Sequence, residues 1–415
     1  MSVSLPYPIR LPSLASEQVT KIGVKSPEDV VVVSAVRTAL GRGRKGGFKD
    51  TLGDELLAGV LKATIERTGI DPSLVQDITV GNVAAKGGFA TPARMASLYA
   101  GFPESTSVNT VNRQCSSGLQ ACVQIASAIQ AGLIDVGIGA GVESMTSDYF
   151  SRQVTVSEKL CKESQAAEDC KIPMGLTSES VAKDYGLTRE EQDAFSVLSH
   201  KRAAAAQAAG YFKDEIVPLT VTMLDKNGEN PKQVVVDQDE GIRANSTVEG
   251  LAKLKPAFTP TGSTTAGNAS QISDGAAAVL LMKRKTAQKL GLPIIGKYIT
   301  AASVGVPPRI MGVGPAYAIP VAVERAGLKL EDVDIYEINE AFASQALYTV
   351  RVLGLDQEKV NPKGGAIAIG HPLGCTGARQ IATLFPELQR QGKKIGVSSM
   401  CIGSGMGMAA VWERE

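Results

Sequence analysis

Apolar positions along the chain fall into short runs separated by longer segments of helical period. "EDVVVVSAVRTALGR" and "AAAVLLM" are compact apolar runs of the kind that form buried strands. In "CSSGLQACVQIASAIQ" the apolar residues Leu119, Cys122, Ile125 and Ile129 recur at helical spacing instead. Short strands alternating with alanine-rich helices predict a layered α/β architecture. The apolar runs stay well below the roughly 18 residues that a membrane span needs, so no segment is expected to cross a bilayer.

Two stretches repeat the same order of parts. "SVNTVNRQCSSGLQACVQIASAIQAGLIDVGIGAGVESM" reads as strand, turn, helix opened by Gly118, break and glycine-rich strand. "KVNPKGGAIAIGHPLGCTGARQIATLFPELQRQGKKIGVSSMCIGSGMG" repeats that order, and "CSSGLQA" and "GCTGARQ" both set small hydroxyl residues before a glycine that opens a helix. The pattern predicts an internal duplication, with halves at about 28–285 and 286–415 behind a flexible leader, 1–27. Chance likeness of two strand-turn-helix units is the alternative. The first half is longer by an insertion at about 146–270, which reads as a separate cap on the body. In it "TREEQ" predicts a helix N-cap with acids in the first turn, and "DKNGENPKQ" predicts a surface turn.

Composition narrows the function classes. In 415 residues, 43 basic side chains balance 42 acidic ones for a formal charge of +1, which gives no sign of a nucleic-acid partner. The six cysteines include no Cys-x-x-Cys pair, so neither a zinc site nor a disulfide scaffold is expected. Free thiols suit a reducing compartment. Only two histidines are present, and histidine is the side chain whose ordinary pKa lies near neutrality. His200, on a helical run beside basic and alanine residues, reads as structural or solvated. His371, in "GHPLGCTG", is left as the candidate for proton transfer.

Three small-residue turns hold candidate chemistry. Cys115 lies where a strand meets a helix N-terminus, a place that lowers a thiol pKa, and a histidine neighbour is the usual second activator. If the halves pack about a pseudo-twofold axis, Cys115 and the His371 turn occupy related positions and face each other. Cys401 leads into "IGSGMG", whose amides suit an oxyanion. A small buried apolar role fits any one of these cysteines as well. In "IYEINEAFASQA" a strand ends at Asn339 and a helix starts at Glu340, for which Asn339 as an ordinary cap is a sufficient role.

"NRQCSSGLQA", "NEAFA", "GGAIAIGHPLGCTGAR" and "CIGSGMG", in this order and over the whole chain from about residue 28, resemble the signatures of the thiolases. The likeness is strongest to the degradative 3-ketoacyl-CoA thiolases of peroxisomes, whose amino-terminal body often reads like "PEDVVVVSAVRTALGRGRKGGFKD". It implies a duplicated five-layered α/β/α/β/α core with an inserted loop domain, assembled as a homodimer or a dimer of dimers. It also implies CoA-dependent cleavage of 3-ketoacyl-CoA in fatty acid β-oxidation. CoA would serve as co-substrate, with no metal or redox cofactor.

By motif, the resemblance makes Cys115 the acyl-accepting nucleophile and His371 its activator. Cys401 becomes the acid and base for the enolate, and Asn339 the holder of a catalytic water in one oxyanion hole. Backbone N–H groups of Cys115 and Gly403 would form the other hole. For CoA and substrate it implies Arg243, Ser270, Phe258, Ala266, Met174, Met311 and Phe342. On residue type alone, a surface salt bridge suits Arg243, a turn hydroxyl suits Ser270, and plain packing suits Phe258 and Ala266.

Two departures stand out. Pro173 precedes Met174-Gly175 where many acetoacetyl-specific biosynthetic thiolases have histidine, which favours the degradative type. Ser404 replaces a usual glycine, and serine reaches positive φ less easily. The alternatives are an acetoacetyl-CoA thiolase working by Claisen condensation, a decarboxylating ketoacyl synthase, and a non-catalytic acyl-CoA carrier. A synthase typically needs a second histidine or an asparagine beside cysteine and histidine and lacks a second catalytic cysteine, and a carrier is expected to lack part of the set Cys115, His371 and Cys401. The leader carries an imperfect peroxisomal signal: Arg10-Leu11 is followed after five residues by Glu17, with Gln18-Val19 one place late. The peroxisome, reached through its import receptor, is the expected location, with cytosol and mitochondrion as alternatives.

Overall fold

The computed structural model describes residues 20–149 and 155–415, so the imperfect targeting signal lies outside the described residues. Five strands build the first half: β1 (Val30–Thr38), β2 (Asp77–Gly81), β3 (Ser107–Val111), β4 (Val136–Ser144) and β5 (Ser273–Lys283). They lie in the order β3-β2-β4-β5-β1, with the β3-β2 and β2-β4 pairs parallel and the β4-β5 and β5-β1 pairs antiparallel. The second half repeats this with β6 (Gly296–Gly305), β7 (Ile335–Ile338), β8 (Ile395–Ile402) and β9 (Met406–Arg414) in the order β7-β8-β9-β6. Here β7-β8 is parallel, while β8-β9 and β9-β6 are antiparallel. A single parallel bridge from Tyr336 to Val360 stands where the first half has β3. Strand order and direction thus agree position by position, and β1 joins the two sheets by pairing with β6 at Val31 and Lys297.

Strands buried on both faces need apolar residues at every position rather than alternate ones. β1, β4 and β8 are buried throughout and β5 at all but its last residue, which explains their continuous valine, alanine and glycine runs. Helices cover both sheets and fill the space between them. α1 (Gly53–Thr68) packs on the outer face of the first sheet and α6 (Gly314–Arg325) on that of the second. Between the sheets run α3 (Ser117–Gln130) and α8 (Thr376–Arg390). The result is five layers, α/β/α/β/α.

The two inner helices touch backbone to backbone. A Cβ on Gly118 would stand 2.6 Å from the carbonyl oxygen of Gly374, and one on Gly377 would stand 2.1 Å from the amide nitrogen of Leu119. Only glycine permits that approach. Because Cys115 and His371 each lie three residues ahead of the glycine pair Gly118 and Gly374, this crossing brings their turns together.

The inserted stretch contains α4 (Met174–Asp184), α5 (Arg189–Ala208) and a hairpin of Leu219–Met223 with Lys232–Val236. Thr188 caps α5 in a capping box with Glu191, as "TREEQ" predicts. The insertion is also stitched into the body: Ile216 and Val217 pair in parallel with Arg37 and Thr38 of β1. Residues 20–27 are tied down as well, since Lys297 donates from Nζ to the carbonyls of Lys21 and Val24.

Candidate active site

Cys115 sits on the turn between β3 and α3, ahead of Ser116, the N-cap of α3. Gln114 before it has φ 48°, a left-handed backbone that turns the chain sharply. Ser117 pins that turn, its Oγ accepting from the amide of Arg113 and donating to the carbonyl of Gln114. Cys115 is 8% exposed, so a small molecule has access to a thiol that is otherwise enclosed.

Cys401 is the penultimate residue of β8, inside the strand rather than after it, and is fully buried. It packs with Met311, Ala341 and Phe342, with Met174 and Ala269 alongside. Burial holds its thiol well above the ordinary range, and Cys115 is near enough to raise it further. The two sulfurs are thus near enough to feel each other, and Cys401 stands as a neutral thiol rather than a thiolate. Gly403 follows closely: a Cβ there would lie 3.7 Å from Gln114 Cγ and 3.7 Å from Met174 Sδ. Ser404 does adopt the glycine-like backbone, φ 64°, and its hydroxyl donates to the carbonyl of Gly403.

His371 is buried between the halves. Its Nδ1 lies 2.6 Å from Thr376 Oγ1, and its Nε2 lies 3.4 Å from Asn339 Nδ2. Burial, with the charge of Arg379 behind it, pushes the imidazole down to about 3. It is therefore neutral near pH 7. Asn339 is not a helix cap, which corrects the expectation for "IYEINEAFASQA": the strand ends at Ile338 and α7 (Ala343–Leu353) begins four residues after Asn339, with Phe342 at its N-cap. The Asn339 amide is held instead by Ser399 O. Its side-chain Oδ1 is buried without a protein partner, a demand that a water or substrate atom would meet.

Sequence reasoning did not find the groups that support this set. Glu143, at the end of β4, accepts from the amides of Val83, Ala84 and Gly374 and from Asn82 Nδ2. It thereby fixes the His371 turn to the first half, and burial pushes its carboxyl up to about 7 against those donors. Gln271 donates to the carbonyls of Gly241 and Ile367 while its own carbonyl takes the His371 amide. Neither residue has a local motif, because each acts across the interface of the halves.

The residues expected at the CoA path divide. Met174, Met311 and Phe342 surround Cys401. Phe258 meets the Phe342 ring edge-on at 6.4 Å, and Ser270 donates its amide to Ala341 O beside it. Arg243 and Ala266 stand exposed. His200 is buried rather than solvated, and its Nδ1 accepts the Arg243 amide at 3.2 Å, which fixes it as structural. Among the described residues no group of three His, Cys, Asp or Glu side chains could hold a metal ion, and no helix is long and apolar enough to cross a membrane.

The thiolase N-terminal domain profile matches residues 30–285 and the thiolase C-terminal domain profile matches 292–414. This chain belongs to the thiolase family. The thiolase is 58% identical over 390 residues to the peroxisomal 3-ketoacyl CoA thiolase 1 of Petunia hybrida, covering 93% of this chain and 84% of that one. With the peroxisomal 3-ketoacyl-CoA thiolase B of Rattus norvegicus it shares 57% over 389 residues, 94% of this chain and 91% of the other. The crystal structure of the dimeric peroxisomal thiolase of Saccharomyces cerevisiae superimposes with a TM-score of 0.89 at 49% identity, over 95% of this thiolase and 99% of that chain.

Proposed function

We propose that this thiolase cleaves 3-ketoacyl-CoA with free CoA, releasing acetyl-CoA and a shortened acyl-CoA, in peroxisomal fatty acid β-oxidation. The observation that carries this reading is the close approach of Gly118 to Gly374, which sets the Cys115 turn against the His371 turn, with Asn339 on His371 and Cys401 near enough to Cys115 to feel its charge. Breaking the bond between C2 and C3 requires a soft nucleophile on the keto carbon and a proton for the carbanion that leaves. His371 Nε2 takes the Cys115 proton, and the sulfur adds to the keto carbon. The C2–C3 electron pair then moves onto acetyl-CoA as an enolate, which Asn339 and His371 stabilise and the Cys401 thiol protonates. CoA next attacks the acyl-Cys115 thioester and gives its proton to the Cys401 thiolate; the acyl–sulfur bond to Cys115 breaks, and the released Cys115 thiolate takes its proton back from His371, restoring the site. The amides of Cys115 and Gly403 hold the oxyanion in the acyl-transfer steps.

Phe258, Phe342, Met174 and Met311 form the wall for the acyl and pantetheine chain in this reading, with Ser270 and Ala266 along the path and Arg243 at the nucleotide end. The yeast dimer supports a homodimer, as do Met95 and Tyr99, exposed on α2 (Ala90–Tyr99) beside the open edge of β3. The peroxisomal relatives support that location, with Arg10-Leu11 and Gln18-Val19 as the stretch for the import receptor to read. Incubation with acetyl-CoA followed by intact-mass measurement tests the nucleophile. Wild type is expected to gain an acetyl group and Cys115→Ala none, and an adduct at wild-type yield in the variant would refute the assignment.

A further inference from the structure

We infer that Thr376 is a positioning residue for this reaction: its hydroxyl accepts the Nδ1–H of His371 and directs all proton traffic through Nε2. The inference rests on the Cys115 and His371 pair proposed above. Thr376 is the first residue of α8 and fully buried, with Oγ1 at 2.6 Å from His371 Nδ1 and 2.9 Å from the carbonyl oxygen of Pro372. A carbonyl oxygen only accepts, so it takes the single hydroxyl proton and leaves an Oγ1 lone pair facing the ring. Nδ1 must then carry hydrogen, and Nε2 is the bare nitrogen. The far side agrees, because Asn339 turns an amide donor toward Nε2.

The same hydroxyl serves the ring in both of its protonation states. When Nε2 takes the Cys115 proton, the imidazolium still donates from Nδ1 to Oγ1, whose own proton stays on Pro372. A hydrogen bond to the charged form favours that form. Thr376 therefore stabilises the imidazolium and, with it, the thiolate. Without it, the ring loses its acceptor and is free to place its hydrogen on Nε2, where it cannot act as a base. Thr376 and His371 are both on the C-terminal half, five residues apart across the Pro372 turn, so the pair forms within one segment. The charged and titratable groups that act on the ring or its turn are Arg379 on α8, paired with Glu337 of β7, and Glu143, which holds the Gly374 amide. None of them is altered by replacing the hydroxyl.

The test compares Thr376→Val, nearly isosteric, and Thr376→Ser, which keeps the hydroxyl, with wild type. Cys115 alkylation by iodoacetamide is followed from pH 5 to pH 10, with peptide mapping of the label and a thermal melt of each protein. Removing one hydrogen bond to the charged ring is expected to move the alkylation midpoint of Thr376→Val up by about one pKa unit, a tenfold loss of thiolate below the midpoint. Thr376→Ser should follow wild type. Label on Cys115 with an unshifted midpoint in a folded Thr376→Val protein overturns the inference while leaving the nucleophile intact. Equal shifts in the Ser and Val variants overturn it too, since packing of the methyl group would then be responsible. Loss of activity in wild type with label on Cys161 or Cys170 and Cys115 left unmodified would instead remove the Cys115 reading on which it rests.

Discussion

The two histidines of this thiolase show how one residue type takes two roles through its surroundings. Both are buried and held neutral, but His371 turns Nε2 toward the Asn339 side chain, whereas the Nδ1 of His200 takes a backbone amide, that of Arg243. Burial, aided by the Arg243 charge, pushes His200 down to about 4 from its ordinary value of about 6.5. Between those values the unfolded chain binds more protons than the folded one. The stability due to neutral His200 is thus fully present above pH 6.5 and is lost as pH falls toward 4. His200→Gln keeps an acceptor for the Arg243 amide without the titration. Denaturant unfolding at pH 7 and pH 4.5 should show an acid-induced loss smaller than in wild type by about 2 kcal/mol. Glu143 and Glu337, each pushed up to about 7 by burial, work in the opposite sense, but equally in both proteins. An identical loss in the variant would mean that His200 is not the acid-sensitive group. At this scale the sequence carried His371 and Cys115 in recognisable turns and Cys401 just ahead of one, at the end of β8. It did not carry the role of Thr376, because nothing in "GCTG" says which atom its hydroxyl meets.

Among elements, the crossing of α3 and α8 decides whether the catalytic turns meet. Both helices begin with small residues because their first turns lie against each other and against the strands: a Cβ on Gly141 would stand 2.1 Å from Gly374 O. The repeated strand-turn-helix pattern made these helices legible, and Leu119, Cys122, Ile125 and Ile129 are all buried as their spacing predicts. The start of the helix after Asn339 was placed too early, at Glu340, because a strand followed by a polar residue and an apolar helical run looks like an ordinary cap, whereas Glu340–Phe342 are spent before α7 begins. Gly377→Ala tests the crossing. With backbone atoms 2.1 Å from the new methyl group, the helices must separate, at a cost of about 1–3 kcal/mol in stability. Activity should fall more than the melting temperature suggests, because separation moves Cys115 from His371. Gly132→Ala, where φ is +73° with nothing within 4 Å of the new Cβ, should cost about 1 kcal/mol and leave turnover unchanged. Full activity in a stably folded Gly377→Ala protein would show that the crossing does not set the site.

At the scale of the whole molecule, a buried ionic cluster joins the parts that the sequence presents as separate. Arg37 of β1 meets Glu215 at 2.8 Å and Asp239 at 2.7 Å, both from the inserted stretch, and Lys363 of the second half meets Glu215 at 2.6 Å. Thr383 of α8 adds a hydroxyl to Glu215, and Phe212 lies under both Arg37 and Lys363. Burial opposes the charge on Glu215, yet Lys363 and Arg37 keep its carboxyl below the ordinary range. Charge counting along the chain cannot reveal such a cluster, since its members are up to a few hundred residues apart and each reads as a surface residue. Replacing one member leaves the others buried and unbalanced, which is costly, whereas replacing opposite charges together is not. Lys363→Met is therefore expected to destabilise the protein by about 3–5 kcal/mol, and adding Glu215→Gln should recover part of that loss rather than add to it. Urea unfolding at fixed protein concentration, so that assembly does not shift the midpoint, gives the coupling from the four proteins of the cycle. Strict additivity would mean that Lys363 and Glu215 hold the halves and the insertion together independently, and that the cluster is not the joint.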